Sequence, residues 1–198
     1  MNFIADKQTL DDLGLLGKFN PHSVYSIFNK VQTAGGERLL EAMFHQPMTD
    51  ASQINGRSTL FRYFQELHLT FPFSHKFFSI VENYLEAGAP GNVVAATAAV
   101  LRKKIMRSFL RDEQYTLLQE GLSASIEALN KLKALLIQVQ VDCVEPAKKI
   151  LEDSRLSWLS DEHGAEKLSV MKISKYDNLL RNIMRDEMEI LLDTVYQL

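Results

Sequence analysis

The sequence predicts an all-α protein, and three observations carry that prediction. The first is composition. Among 198 residues there are only five prolines and nine glycines, while Leu, Ala, Glu, Lys, Gln and Met, which lose least on entering a helix, are plentiful. The second is a set of helix punctuation marks: Asn20-Pro21, Gly35-Gly36, Pro47 and the pair Thr49-Asp50. The third is a long apolar seam running from Tyr115 to Ile150. With 46% hydrophobic residues the chain can bury one sizeable core or two small ones.

Before Asn20 the chain reads as extended or irregular, with Leu10, Leu13, Leu15 and Leu16 as anchors and Gly14 and Gly17 interrupting any helix. Asn20 caps a helix and Pro21 suits its first position. Val24, Ile27, Phe28 and Val31 give it one apolar face, and Gly35-Gly36 ends it. A second helix starts near Glu37 with Leu39, Leu40, Met43 and Phe44 inward, and Pro47 closes it. Thr49 or Asp50 caps a third, which presents Ile54, Leu60, Phe61, Phe64 and Leu67 to a core and fades near Thr70. A fourth, aromatic helix covers Pro72 to Leu85. The aromatics Phe61, Tyr63, Phe64, Phe71, Phe73, Phe77 and Phe78 have the spacing of core packing between two helices.

The stretch from Glu86 to Asn92, with Gly88, Pro90 and Gly91, is the clearest break. It divides a compact region, residues 1–87, from a more elongated one, residues 93–198. Beyond it Val93 to Leu110 reads as an Ala-rich helix. Tyr115, Leu118, Leu122, Ile126, Leu129, Leu132, Leu136, Val139, Cys143, Ala147 and Ile150 then alternate steps of three and four. Their mean spacing of about 3.5 residues is that of long helices packed side by side. A continuous helix of about forty residues would extend roughly 60 Å, with Pro146 kinking it or breaking it a turn earlier. A polar turn at Ser160 to Gly164 leads to Leu168–Ile173, strand or irregular, and a last helix runs from about Ser174 to Leu198 with Leu179, Leu180, Ile183, Met188, Leu191, Leu192 and Val195 inward. The apolar pattern is still running at Leu198, which reads as the end of a fragment.

Function classes narrow by what is absent. The chain has no G-x-x-x-x-G-K-[ST] loop for nucleotide phosphates and no G-x-S-x-G elbow for a serine nucleophile. It also lacks H-E-x-x-H, C-x-x-C and paired histidines at helical spacing. His22, His45, His68, His75 and His163 are scattered, and Asp161-Glu162-His163 are neighbours in a turn that would not converge on one ion. The expectation is therefore no catalytic, cofactor-binding or metal site in this chain. No apolar run reaches the roughly eighteen residues of a membrane span, and Met1 to Asp12 lacks the pattern of a signal peptide. The lone Cys143 cannot pair internally, is expected as a packed helical side chain, and fits a reducing, cytoplasmic setting. The net charge of −3 is not that of a self-sufficient nucleic-acid binder. One local basic face remains a weak candidate for DNA-backbone contact. Lys103, Arg107 and Arg111 line up on a helix, beside Arg102 and Lys104. A solvated face opposite Leu101, Ile105 and Phe109 explains the same pattern.

One resemblance goes further. Thr33-Ala34-Gly35-Gly36-Glu37-Arg38-Leu39-Leu40 followed by Pro47-Met48-Thr49-Asp50, Ile54 and Arg57 is similar to the opening of the core domain of MutS-family DNA mismatch-repair proteins. The family pattern there is T-x-x-G-x-R-L-L, then P-[LM]-x-D-x-x-x-I-x-x-R and an aromatic-rich continuation. Asp6, Thr9, Leu10 and Leu13 resemble the segment leading into it. The resemblance implies a MutS core-like helical bundle with long lever helices. It also implies a structural joint at Thr33, Gly36, Arg38, Pro47, Asp50, Ile54 and Arg57, where Arg38 and Arg57 hold carboxylates or carbonyls and Asp50 caps the helix of Arg57. The implied partners are the parent's own C-terminal ATPase domain, duplex DNA and a second copy of the parent. ATP and Mg belong to that ATPase domain, not to this chain. The family's mismatch-reading domain, its clamp and its ATPase have no counterpart in these residues, which suggests a reduced MutS-related lineage. The alternative is a standalone helical interaction or dimerisation module with no DNA role, using the seam from Tyr115 to Ile150.

Overall fold

The computed structural model describes residues 13–15, 22–87, 113–162, 164–165 and 168–198. Among these every regular element is helical and no strand occurs. The chain forms two compact units, Met1–Phe71 and Pro72–Tyr196. The expected helix from Val93 to Leu110 lies outside the described residues.

In the first unit, α1 (Val24–Phe28) starts at Ser23, whose hydroxyl accepts the Ser26 amide at 3.2 Å. Ahead of it Gly14 takes a positive φ of 60°. The Gly14 and Leu15 carbonyls accept the Val24 and Tyr25 amides at 2.9 and 3.0 Å. The helix is shorter than its apolar spacing predicts. Gly35-Gly36 does not end it; both glycines lie inside α2 (Ala34–His45). The reason is Thr33, which sits extended (φ −129°, ψ 148°) so that its hydroxyl can cap the Gly36 amide at 3.1 Å. A helix cannot run through an extended residue, so α1 stops short of it. Tyr25 meets Phe44 of α2 edge-on at 5.6 Å, and Phe28 lies 6.0 Å from the same ring.

Helix α3 (Ala51–Leu67) follows Pro47 and is capped by Asp50, whose carboxylate accepts the Gln53 amide at 2.9 Å. It ends before Thr70 because His68 turns left-handed at φ 49°. None of its side chains is buried. Leu60, Phe64 and Leu67 are half-buried, and Ile54 and Phe61 stand exposed rather than facing a core.

The second unit is organised around α5 (Glu113–Leu136). Tyr115, Leu118, Leu122, Ile126, Leu129, Leu132 and Leu136 are buried as the seam predicts, but so are Ala124, Ser125, Ala128 and Leu135. Among its described side chains only a thin stripe at Leu117, Glu120, Glu127 and Ala134 is exposed. It is a central helix, covered on most sides by its own unit. Its principal partner is α4 (His75–Glu86), capped by Ser74. Phe73 and Phe78 are fully buried there, as the aromatic spacing implies. The two helices approach closely because position 121 carries no side chain. A Cβ on Gly121 would sit 2.5 Å from Cδ2 of Tyr84 and 2.6 Å from its Cβ.

The long seam is broken ahead of Pro146, and further ahead than the one turn its ring chemistry predicts. Helix α5 spans 24 residues, about 36 Å. The chain then tightens, with the Gln138 and Val139 amides reaching back only three residues. A 3₁₀ turn, Asp142–Val144, leads into α6 (Glu145–Leu151). Ile137, Val139 and Val141 are β-branched and resist helix. Pro146 has no amide to offer the Asp142 carbonyl and its ring would collide with it, whereas in the first turn of α6 it is at home. The seam nonetheless continues in space through buried Val139 and Ala147. Cys143, expected packed, is exposed because it falls in the 3₁₀ turn.

A second 3₁₀ segment, Ser154–Ser160, precedes α7 (Val170–Asn178). Leu168 and Ser169 are irregular, and the helix begins at Val170, earlier than Ser174, because the Ser169 hydroxyl caps the Lys172 amide at 3.3 Å. A wide π turn, Leu179–Ile183, joins α7 to α8 (Arg185–Gln197).

Gly121→Ala should lower stability by about 1–3 kcal/mol, because Tyr84 cannot yield its Cβ. Gly56→Ala, on exposed α3 with open space around it, should raise the first unit's stability by about 0.5–1 kcal/mol. Urea denaturation of both variants checks the opposite signs.

Candidate functional site

The residues of the implied joint separate into those that shape the backbone and those that face solvent. Thr33 and Gly36 are buried and bonded to each other. Asp50 caps α3 as expected. Between them Glu37 accepts from the Asn29 side-chain amide at 3.1 Å, which ties the end of α1 to the start of α2. Arg38, Pro47 and Ile54 are exposed and Arg57 is half-buried. Among the described residues no ion pair reaches either arginine. Lys103, Arg107 and Arg111 lie outside the described residues.

The most strongly built polar cluster is in the second unit and was not singled out in the sequence. Asp177, on the last turn of α7, is 1% exposed. Its Oδ1 accepts from Tyr84 Oη at 2.8 Å and from Arg181 Nε at 2.7 Å, and Arg181 Nη2 lies 2.7 Å from the same atom. The Arg181 guanidinium also sits over the Tyr84 ring, 4.7 Å from its centroid. Asp177 Oδ2 is buried with no hydrogen-bond partner. Burial, and then the neighbouring Asp177 charge, push the Tyr84 hydroxyl well above its ordinary 10.0, against the opposing pull of Arg181. One sequence signal pointed here: Asp177 and Arg181 are an i,i+4 acid–base pair. Nothing in the pattern says that the pair is buried or that Tyr84, 93 residues away, completes it.

A second polar set lines α5. Gln119 Nε2 donates to the Ala165 carbonyl at 3.2 Å, and Ser123 Oγ accepts the Ala165 amide at 2.8 Å. Asn130 Nδ2 donates to the carbonyls of Leu159 and Glu162, both at 3.2 Å. These side chains hold irregular backbone against the central helix. Tyr196 Oη closes another contact, donating to buried Glu82 at 2.8 Å.

The cavity between α4, α5 and α8 is about 20 Å³, lined by Phe73, Phe78, Val81, Leu129, Met188, Leu191 and similar side chains with Ser125 as the polar exception. That is room for about one water, far below a ligand site. Among the described residues no three His, Cys, Asp or Glu side chains converge as a metal site. No described helix is long and apolar enough to cross a membrane. No protein-family model, curated protein or solved structure matches the chain.

Removing one member of the Asp177–Arg181 pair strands the other in the interior. Asp177→Asn or Arg181→Met should cost about 3–5 kcal/mol, read from urea midpoints, with the double variant less destabilised than the sum. Tyr84 also makes stability fall at high pH. Its folded pKa is raised, so its contribution is intact below the unfolded value of 10.0 and is lost as pH climbs above it. The loss should approach about 1.4 kcal/mol per pH unit, and the difference between the wild type and Tyr84→Phe isolates it.

Proposed function

We propose that this chain is the helical core and lever module of a MutS-like DNA mismatch-repair ATPase. In this reading ATP-driven motion of a C-terminal ATPase domain is coupled through these helices to engagement of DNA or a partner. The observation that carries it is the register of Thr33, Gly36, Arg38, Pro47, Asp50, Ile54 and Arg57, in which two of the matched residues, Thr33 and Asp50, cap successive helices. A joint between helices is what a lever needs at its base, since coupling requires an element with discrete arrangements. The all-helical architecture is consistent with that role. The basic face of Lys103, Arg107 and Arg111 is its candidate DNA contact, and ATP and Mg enter only through the ATPase domain.

The test extends the chain through its native sequence beyond Leu198 and measures ATP hydrolysis with and without duplex DNA. A phosphate loop should follow, hydrolysis should respond to DNA, and replacing Thr33 and Asp50 by Ala should reduce that response several-fold while leaving basal hydrolysis in place. A continuation without a phosphate loop sinks the reading. Replacing Lys103, Arg107 and Arg111 by Ala should flatten the salt dependence of duplex binding. An unchanged slope removes that face.

A second reading, a standalone interaction or dimerisation module, gains support from exposed Ile27, Phe28, Ile54 and Phe61 in the first unit. It gains none from the α5 seam, which is buried within its own unit. Concentration-dependent association weakened by Phe28→Ser and Phe61→Ser would favour it, and a monomer at all concentrations would discard it.

A further inference from the structure

The π turn between α7 and α8 carries an unusual pattern. The Met184 amide donates to the Leu179 carbonyl, five residues back, at 2.8 Å, so the turn holds one residue more than α-helical winding would. Wide turns of this kind are rare and concentrate at functional positions. One residue of an α-helix is about 100° of rotation, so this extra residue decides which face of α8 is buried. The buried face is Met184, Met188, Leu191 and Val195, each 3% exposed or less.

Immediately before each of those residues stands another: Ile183, Glu187, Ile190 and Thr194. This offset stripe has the same spacing and is apolar at both isoleucines, which are held out in solvent at 55% and 42% exposure. If the turn wound as plain α-helix, these four would move into the places of the present four. The upstream side of the turn is pinned, because Arg181 within it is tied to Asp177 and stacked on Tyr84. Rotation would therefore fall on α8. What opposes it is Glu187, which would replace Met188 in the core and is instead held outside by Arg155 at 2.6 Å, together with Tyr196, whose hydroxyl is tied to Glu82 at 2.8 Å.

We propose that the turn Leu179–Ile183 is a register switch. Helix α8 has two packing registers, one residue apart, and Glu187 with its Arg155 partner selects the wide-turn register. The wide turn and the two isoleucines held in solvent at the offset positions, with Thr194 already buried beside Val195, carry this proposal, and it stands independently of the mismatch-repair reading.

The test is NMR relaxation dispersion on the full chain. Glu187→Leu should populate a second state across residues 179–190 at roughly ten times its wild-type level, with Glu187→Gln intermediate. Deleting Ile183 removes the extra residue, so plain α-helical winding keeps Met184, Met188, Leu191 and Val195 inward, and the exchange should disappear when the deletion is combined with Glu187→Leu. Absence of exchange in Glu187→Leu would overturn the proposal, as would exchange that survives the deletion.

Discussion

The second unit depends on one approach between helices, that of Tyr84 to Gly121. Because position 121 has no Cβ, the Tyr84 side chain lies against the backbone of α5. Its hydroxyl then reaches Asp177 on the last turn of α7. That bond fixes the carboxylate, the carboxylate fixes Arg181, and Arg181 returns its positive charge to the Tyr84 ring. The closed loop of contacts ties α4, α5, α7 and the π turn together. It also explains how a charged pair survives in the interior: the guanidinium has both an anion and an aromatic face, although one carboxylate oxygen goes without a partner.

Surface charge plays a smaller part. Arg155 forks onto Asp153 and also reaches Glu187, holding both carboxyls below their usual range. Lys172 pairs with Glu162, and Lys131 with Glu127. Exposed pairs of this kind contribute little to stability. Their value is positional: Arg155 links the 3₁₀ segment to α8, and Lys172 links α7 to the loop before it. Gln119, Ser123 and Asn130 of α5 bond the same loop at Ala165 and Glu162.

Helix content, the aromatic cores at Phe73 and Phe78, the cap at Asp50 and the burial of Leu118 to Leu136 follow directly from spacing and turn chemistry. The failures have physical causes. At Gly35-Gly36 a helix-ending signal lost to a stronger cap at Thr33, because a hydroxyl that satisfies an amide outweighs the flexibility of glycine. The seam through Cys143 and Ile150 predicted a long helix kinked at Pro146 or broken a turn before it; the break comes, but already at Leu136, because periodicity does not register how β-branched Ile137, Val139 and Val141 end the helix while the apolar surface continues. Exposed Ile54 and Phe61 show the limit of reading a core from a stripe. The buried cluster at Tyr84 was illegible for a different reason. It joins residues far apart in sequence, and long-range pairing leaves no local pattern.

One aromatic contact gives the molecule an internal witness. The single tryptophan, Trp158, lies flat against Tyr176, with centroids 3.7 Å apart and rings within 9° of parallel. Both belong to the second unit, so intrinsic tryptophan emission reports on that unit alone, whereas far-ultraviolet dichroism sums the helices of both. Superposable melting curves from the two signals would mean that the units unfold as one cooperative body. Curves that part would give each unit its own stability without cutting the chain.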